Sequence, residues 1–201
     1  MSDDALQIID RSVAYQGFFR IDRYRLRHRR YDGGWSGELS REILERGRAV
    51  GLLLYDPGRD AVVLIEQFRL PAHLAGFSAW QLEIVAGLVD HAHESEAEVA
   101  LREAHEEAGV TVLGELVPVH RFLTSPGATT ETVAIFCGRV DAGDAGGIHG
   151  LADEHEDIKV VVTSADDAIA RARAGKIENA IALLALYWLA ENRDALRQRW
   201  R

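Results

Sequence analysis

The sequence predicts an α/β protein, with a mixed β-sheet between helices and an antiparallel β-hairpin layer before it. Three features predict this class. Apolar strands stand on both sides of one acidic helix, a more apolar helix closes the chain, and residues 1–47 are less apolar than the rest of the chain. Strands around a central helix, with a closing helix after them, form an α/β/α sandwich. We therefore assign residues 1–47 to the β layer and residues 48–201 to the sandwich domain.

The strands are predicted from apolar runs between turn residues. In the layer, residues 14–28 form a strand pair or one bent strand, Asp32-Gly-Gly forms a turn, and residues 38–44 form a further strand. The predicted strands of the sandwich domain are residues 49–55, 61–68, 82–88, 116–123, 132–140 and 158–163.

Two helices are predicted after the last of these strands. Ser164 is an N-cap residue for a short helix that stops near Gly175. A final helix is expected over about residues 179–197. Its predicted buried face consists of Ile181, Leu184, Tyr187 and Trp188.

Composition limits the class of protein. A chain of 201 residues with 47% hydrophobic and 27% charged residues matches one soluble globular core. The net charge of −9 argues against nucleic-acid binding, and the basic run at residues 20–30 is expected to be one face of a strand. The longest apolar run, residues 180–190, is too short to cross a membrane. A lone Cys137 in an apolar run and the absence of a leader pattern predict a cytoplasmic protein.

The most informative segment is the acidic helix predicted within residues 94–110. Glu103, Glu106 and Glu107 are spaced i, i+3 and i+4, so they project from one face of the helix. A solvated acidic face is the ordinary interpretation. The alternative is a divalent-cation site, because carboxylate oxygens are the ligands that Mg²⁺ prefers and the ion cancels their repulsion.

The flanking residues favour a helix in a fixed position. Ser95 and Glu98 form a capping box at its start, and Gly109 stands where a C-terminal cap would end it. Arg102 lies one turn before Glu106 and can orient its carboxylate. Small side chains are expected to pack the helix closely against the sheet: Ala97, Ala100, Leu101, Ala104 and Ala108.

Together with Gly87, this helix resembles the Nudix box of hydrolases that cleave nucleoside diphosphates linked to another group. The matching positions are Glu94, Arg102, Glu103, Ala104, Glu106, Glu107, Gly109 and Val110. One departure is that six residues, 88–93, separate Gly87 from Glu94 where the box has five. We expect the extra residue to bulge in the loop before the helix.

Other segments are similar to the bacterial ADP-ribose pyrophosphatases, namely residues 65–69, 82–87, 123–127 and 147–157. This resemblance implies a Nudix-type sandwich and hydrolysis of ADP-ribose to AMP and ribose 5-phosphate. It also implies a homodimer whose N-terminal layers, residues 1–47, exchange between subunits. A hydrolase of another nucleotide sugar such as GDP-mannose is the main alternative. A catalytically silent nucleotide-binding domain and a structural dimer are the alternatives from other classes.

For the metal, the residue types favour Glu103 and Glu107 as ligands on the exposed helix face, with Glu106 supporting through water. The resemblance adds the backbone carbonyl of Ala86 and the carboxylate of Glu156. It implies two or three Mg²⁺ ions per site, with Mn²⁺ as a substitute. The acidic, Gly-rich segment at residues 143–157 is either a mobile connection or a catalytic loop. The resemblance places the catalytic base there, at Glu154.

Substrate contacts are also implied by the resemblance. Phe18 and Phe19 would stack adenine, although both could instead be hairpin core, and Arg69 would hold a phosphate unless it only forms a surface salt bridge. The remaining predicted substrate contacts are Arg41, Glu42 and Arg46 in the layer, the backbone of Leu88 beside the diphosphate, and Ser125 and Glu131 near the terminal ribose.

Overall fold

The computed structural model describes residues 5–90 and 93–200, except for the side chain of Glu154. The chain divides into two compact units. One comprises Met1–Arg48 with Leu123–Thr132, and the other comprises Ala49–Phe122 with Val133–Arg201. The predicted combination of an α/β/α sandwich with an N-terminal antiparallel β layer is confirmed.

The first unit contains a three-stranded antiparallel sheet in the order β1-β2-β3. Its strands are β1 (Leu6–Gln16), β2 (Arg20–His28) and β3 (Leu39–Glu45). β1 begins earlier than the predicted start at residue 14. Every residue of β1 is exposed, so its sequence lacks the alternation that marks a half-buried strand. The basic run lies on β2, where Arg20 and Arg11 pair with the buried Asp22 at 2.8 and 2.5 Å.

The second unit is built on a larger sheet with the strand order β10-β11-β5-β4-β9-β8. Off this path, β6 pairs with β5 and β7 pairs with β4. The strands are β4 (Arg48–Asp56), β5 (Ala61–Phe68), β6 (Trp80–Glu83), β7 (Val85–Leu88), β8 (Val117–Leu123), β9 (Thr132–Arg139), β10 (Ile148–His149) and β11 (Ile158–Ser164).

One predicted strand is wrong in a way that matters for the site. Residues 82–88 are not a single strand, because β6 ends at Glu83 and β7 starts at Val85. β6 pairs with β5, whereas β7 pairs with β4, so the chain changes partner at the buried Ile84. The sequence is apolar across the junction and carries no local signal of the change.

The helices are α1 (Leu70–Leu74), α2 (Glu96–Ala108), α3 (Ala165–Arg173) and α4 (Ala180–Arg199). Ser164 and Asn179 cap α3 and α4 through side-chain oxygens that accept from Asp167 N and Ala182 N. The short α1 and a 3₁₀ helix at Ala152–Glu154 were not predicted. Among the described residues, no helix is both long and apolar enough to cross a membrane.

The central strands of the larger sheet, β4 and β5, are buried on both faces. Side chains alternate along β4, so Val50, Leu52 and Leu54 pack in one core with Val99, Ala100, Ala104 and Ala108 of α2. Leu53 and Tyr55 point the other way and pack with residues of α3 and α4. This double burial explains why the central strands are continuous apolar runs rather than alternating ones.

The predicted buried face of α4 is half wrong. Leu184 and Tyr187 are 38% and 44% exposed, while Ile181 and Trp188 are partly buried against the core. The fully buried residues of α4 are instead Ala182, Ala185, Leu186, Leu189 and Leu196. The first half of the helix is apolar all round, so its sequence does not select a face. The small side chains let the helix axis approach the sheet, and packing decides the rotation.

Candidate active site

Helix α2 is fixed at both ends as the sequence predicts. Ser95 Oγ accepts from Glu98 N at 3.3 Å, and the Glu98 carboxylate accepts from Ser95 N at 2.7 Å. Gly109 adopts the left-handed conformation at φ +63° and ends the helix. These two caps set which residues are helical, and so fix the phase of the three glutamates around the axis.

The packing face of α2 differs from the predicted stripe of small residues. Ala100, Ala104 and Ala108 are buried as expected, but Leu101 is exposed. Val99 is buried in its place. The buried face is therefore rotated toward Val99 and Glu107, which brings one carboxylate of the acidic face into the interior.

Glu107 is the clearest correction to the sequence analysis. It is not on an exposed face, because only 3% of the residue is accessible. Its Oε2 accepts a hydrogen bond from Ala86 N of β7 at 2.9 Å. Burial raises the pKa of Glu107 to about 8, with the Ala86 hydrogen bond opposing the shift and the charges of Glu103 and Glu156 adding to it. A carboxylate buried in this way is costly to ionise unless a cation or further hydrogen-bond donors offset the lost hydration.

Glu103 lies against the β7 backbone at Gly87. Any side chain at residue 87 would overlap the Glu103 carboxylate, so the glycine permits the close approach. Burial raises the pKa of Glu103 to about 7, against the opposing charge of Arg102 at 3.0 Å. The charges of Glu106 and Glu156 raise it further.

Arg102 holds the outer carboxylates of the helix. Its guanidinium donates to Glu106 at 2.8 Å, as predicted, and to Glu94 at 3.3 Å. Glu106 is thus neutralised by an arginine of its own helix, whereas Glu107 accepts its hydrogen bond from a backbone amide. Arg102 also pairs with Glu103 at 3.0 Å, so the backbone hydrogen bond sets Glu107 apart from both of the other glutamates.

Glu156 comes from the loop before β11. Its carboxylate accepts from Leu151 N at 3.3 Å and from Gln67 Nε2 of β5 at 3.4 Å. It raises the pKa of both Glu103 and Glu107, so the loop brings a third negative charge to the helix face. The charges of three of the predicted metal-binding residues, Glu103, Glu107 and Glu156, therefore act on one another.

The same loop is attached to the end of α2. Gly150 N donates to Glu106 O at 3.2 Å, and the His149 imidazole lies where a side chain at Gly109 would be. Glu154 ends the 3₁₀ helix Ala152–Glu154, and its side chain lies outside the described part of the structure. Two contacts therefore join this segment to α2.

Arg69 and Leu88 also belong to the second unit. Arg69 forms the salt bridge that was its alternative interpretation, to the buried Glu83 at 2.9 Å. The negative charges of Glu107 and Glu156 also raise the pKa of Arg69. Arg69 is still 40% exposed, so its guanidinium can contact a ligand while it is held in place. Leu88 ends β7 and pairs with Ala49 of β4.

Phe18 and Phe19 are not hairpin core, which removes the alternative interpretation. They occupy the turn between β1 and β2 and are 86% and 43% exposed. Their rings meet edge to face at 5.0 Å, and the guanidinium of Arg46 lies 5.3 Å from the Phe19 ring centroid. Exposed aromatic rings beside an arginine form a surface that can stack on a planar base.

The remaining predicted substrate contacts also lie in the first unit. Arg46 pairs with Glu131 at 3.5 Å, and Glu42 pairs with Arg23 at 2.7 Å. The Arg41 guanidinium donates to the carbonyl of Ser40 at 2.8 Å. The carbonyl of Ser125 accepts from Ala128 N and Thr129 N and closes a turn.

The donor set fits a hydrated divalent cation. As placed, no three acidic, histidine or cysteine side chains of the described residues converge on one point. However, Gln67 Oε1 is buried without a hydrogen-bond partner among the described residues, beside the Glu156 carboxylate. Mg²⁺ prefers oxygen ligands and usually keeps several of its waters. Carboxylates that do not converge on one point can bind such a hydrated ion, and its waters can donate to an acceptor that lacks a partner.

A family model decides the assignment, because the NUDIX domain matches residues 45–183. The chain belongs to the Nudix family. Among Nudix relatives, it is 49% identical to the ADP-ribose pyrophosphatase of Escherichia coli K12 over 97% of this chain and 92% of that protein. It is 40% identical to the ADP-ribose pyrophosphatase of Haemophilus influenzae over 100% and 93%.

More distant relatives have other names. The chain is 30% identical to the GDP-mannose pyrophosphatase of Pectobacterium atrosepticum over 90% of its length and 92% of that protein. A crystal structure of an ADP compounds hydrolase superposes with a TM-score of 0.72 at 20% identity, covering 100% of this chain and 99% of that one. This last match shows the shared fold.

Sequence reasoning missed Gln67, whose amide donates to Glu156. A polar residue inside the apolar run at 61–68, spaced two and four residues from Ile65 and Val63, was the signal that could have found it. It also missed Glu83, which holds Arg69, since the pairing depends on how β5 and β6 are aligned.

The raised pKa values of this Nudix site predict how metal binding depends on pH. Both folded-state values, about 7 for Glu103 and about 8 for Glu107, lie above the ordinary value of 4.5. Without metal, these groups therefore favour folding below about pH 4.5, and that contribution is lost as pH rises through 7 and 8. A cation needs the ionised forms, so its binding releases protons.

We expect a fixed concentration of Mg²⁺ to raise the melting temperature more at pH 8.5 than at pH 6. Differential scanning calorimetry with and without Mg²⁺ measures both values, and Mg²⁺-free buffer of matched ionic strength is the control. Equal Mg²⁺ shifts at the two pH values would contradict the coupling to these two glutamates.

Proposed function

We propose that the chain hydrolyses the diphosphate of ADP-ribose to AMP and ribose 5-phosphate in a Mg²⁺-dependent reaction. The observation that carries the proposal is the pair Glu103 and Glu107 on the helix of the Nudix box, the first half-buried and the second buried, whose pKa values burial raises and a bound cation would lower. The substrate is inferred from the 49% identity to a protein named ADP-ribose pyrophosphatase over nearly the whole chain.

The residues divide the chemistry among them. Glu103, Glu107 and Glu156 would hold the metal with the backbone carbonyl of Ala86, and Glu106 would support it through water. When bound, two or three Mg²⁺ ions, or Mn²⁺ in their place, supply charge neutralisation on the diphosphate oxygens. Glu154 removes a proton from the attacking water. The backbone of Glu154 ends the 3₁₀ helix Ala152–Glu154, in a loop whose Gly150 N donates to Glu106 O of α2.

The proposed substrate contacts are assigned residue by residue. Arg69 contacts a phosphate from its exposed edge, and the backbone of Leu88 lies along the diphosphate. Phe18 and Phe19 stack the adenine, which their exposure in a turn supports. Arg41, Glu42, Arg46, Ser125 and Glu131 complete the proposed set.

We also propose a homodimer in which residues 1–47 form an exchanged dimerisation layer and residues 48–201 form the hydrolase domain. The supporting observation is β1, an edge strand whose apolar residues are exposed: Leu6, Ile8, Ile9, Val13 and Tyr15. An exposed apolar edge strand normally pairs or is covered. Light scattering of the double variant Ile8→Glu, Val13→Glu tests this proposal. A wild-type monomer, or a variant that stays dimeric, would sink it.

A cytoplasmic location completes the proposal. Cys137 is the chain's one cysteine and is buried, and burial raises the pKa of its thiol above the ordinary range. The chain therefore neither forms an internal disulfide nor presents a reactive thiolate, which suits a reducing compartment.

The second candidate is hydrolysis of GDP-mannose, which the 30% identity to a protein named GDP-mannose pyrophosphatase favours. The test is a substrate panel of ADP-ribose, GDP-mannose, UDP-glucose and NADH with Mg²⁺, reading product phosphate released by a phosphatase. We expect the highest kcat/KM for ADP-ribose. A preference for GDP-mannose would contradict the assignment of ADP-ribose as the substrate. If no compound were turned over, the chain would be a catalytically silent nucleotide-binding domain instead of an enzyme.

A further inference from the structure

Gln67 occupies a buried position that an apolar residue would normally fill. It belongs to β5, where Val63 and Ile65 on the same face are buried in the core with α2. Only 7% of Gln67 is exposed. An amide buried this deeply destabilises the fold unless both of its ends are hydrogen-bonded.

Only one end of the Gln67 amide has a partner among the described residues. Nε2 donates to Glu156 Oε1 at 3.4 Å, and Oε1 has no partner in that part of the chain. The orientation of the amide follows from chemistry, because a carboxylate has only acceptors and must face the NH₂ group. The carbonyl end is thereby left needing a donor.

The residues around Gln67 narrow down what that donor is. The neighbouring Glu156 brings negative charge, which adds to that of Glu103 and Glu107, and these carboxylates offer acceptors only. Arg69, whose charge acts on Glu107, donates to Glu83 through both Nε and NH2. Water molecules carried by a bound cation are strong donors, and they would meet the need of Gln67 Oε1.

We propose that Gln67 is a positioning residue of the metal site: its NH₂ group orients the Glu156 carboxylate, and its Oε1 accepts a hydrogen bond from a water on the bound cation. This inference rests on the proposed function, since it requires the cation. A neutral amide serves both partners at once and adds no negative charge to the cluster. A carboxylate at residue 67 would add charge and lose the donor.

The chain offers a matched control in Gln81. It lies directly across from Gln67 in the β5–β6 pair and is 6% exposed, so residue type, strand setting and burial are the same. Both hydrogens of its NH₂ group have protein acceptors, because Nε2 donates to Ser78 O at 2.7 Å and to Glu178 Oε2 at 3.1 Å. Its Oε1 is not among the buried atoms that lack a partner, so Gln81 serves as the structural comparison.

The experiment compares Gln67→Met and Gln81→Met, since methionine keeps the length and removes the polar ends. Mn²⁺ affinity is measured by the electron paramagnetic resonance signal of the free ion, and melting temperature is measured without metal. We expect Gln67→Met to weaken Mn²⁺ binding about 10- to 100-fold, the usual effect of removing a group that orients a metal ligand. Its metal-free melting temperature should be unchanged or higher, because a buried unpaired oxygen is removed.

Gln81→Met should show the reverse, a lower melting temperature with unchanged Mn²⁺ affinity. If Gln67→Met lowers the melting temperature and leaves Mn²⁺ affinity unchanged, Gln67 is structural and the inference is wrong. If the wild-type chain binds no Mn²⁺ at all, the proposed metal-dependent function is wrong. Titration of the wild-type chain therefore tests the proposed function, and titration of Gln67→Met tests the role of Gln67.

A measurement on the wild-type protein decides between the two roles if Gln67→Met does not fold. The side-chain NH₂ resonances of Gln67, assigned by nuclear magnetic resonance, should shift when Mg²⁺ is added, and those of Gln81 should not. Mg²⁺ is diamagnetic, so a shift reports a changed environment of the amide rather than a paramagnetic effect. Equal responses of the two glutamines would overturn the inference.

Discussion

Glu107→Gln is expected to lower kcat for ADP-ribose about 10³-fold, since a metal ion contributes several kcal/mol of charge stabilisation and each 1.36 kcal/mol is tenfold in rate. The fold should survive. Glutamine keeps an oxygen that can accept from Ala86 N, the contact that Glu107 makes at 2.9 Å. The loss therefore reports the carboxylate charge and not the packing of α2.

The stability of Glu107→Gln provides a second readout with the opposite sign. In the wild-type chain without metal, the pKa of Glu107 is about 8 against an ordinary 4.5, so ionisation destabilises the folded state at high pH. Glutamine does not ionise. We expect the variant to melt at a higher temperature than the wild type at pH 9, and at a similar temperature below about pH 4.5, where both side chains are neutral.

Glu98→Gln is the matched control for this prediction. It carries the same substitution on the same helix, and glutamine also serves at this position of a capping box. Its kcat should match that of the wild type, and its melting temperature should be similar or slightly lower, because the ionised Glu98 carboxylate accepts from Ser95 and its pKa is lowered by these hydrogen bonds. Glu107→Gln with full activity would show that the buried carboxylate does not take part in the reaction.

Glu154→Gln is expected to lower kcat by about 10²- to 10⁴-fold, the range for loss of a general base. The affinity for Mn²⁺ and for ADP-ribose should change little, because the amide keeps the size of the side chain and the metal-binding carboxylates are intact. Isothermal titration with ADP-ribose in the presence of Ca²⁺, together with steady-state kinetics in Mg²⁺, separates binding from turnover.

The dependence of kcat on pH distinguishes a catalytic base from a residue with only a structural role. If Glu154 is the base, the acid limb of the kcat profile should disappear in Glu154→Gln. The neighbouring Asp153→Asn, in the same 3₁₀ helix and exposed, is the control and should keep both rate and profile. Full activity of Glu154→Gln would place the base elsewhere in the chain.

Local features of the fold could be predicted because their causes are close in sequence. The capping box of Ser95 and Glu98, the left-handed Gly109 and the N-cap Ser164 each depend on hydrogen bonds that span only a few residues. β5 was predicted at its observed bounds, Ala61–Phe68, because a doubly buried strand is a continuous apolar run between turns. The pairing of Arg102 with Glu106 follows from helical spacing alone.

Predictions that depended on burial fared worse. Leu101 and Tyr187 were expected inside and are exposed, and Glu107 was expected outside and is buried. In each case the helix was correct and its rotation was not. A helix with apolar or small residues on several sides has several similar packing faces, and contact with the sheet selects among them.

The sequence by itself determined that three glutamates share a helix face, because 3.6 residues per turn places i, i+3 and i+4 together wherever the helix lies. Only the tertiary structure decided what those carboxylates can do. It buries Glu107 against Ala86 N, sets Glu103 on the bare backbone of Gly87, and brings in Glu156 beside Gln67. Desolvation and long-range contacts control charge in proteins, and neither is encoded in the spacing of neighbouring residues.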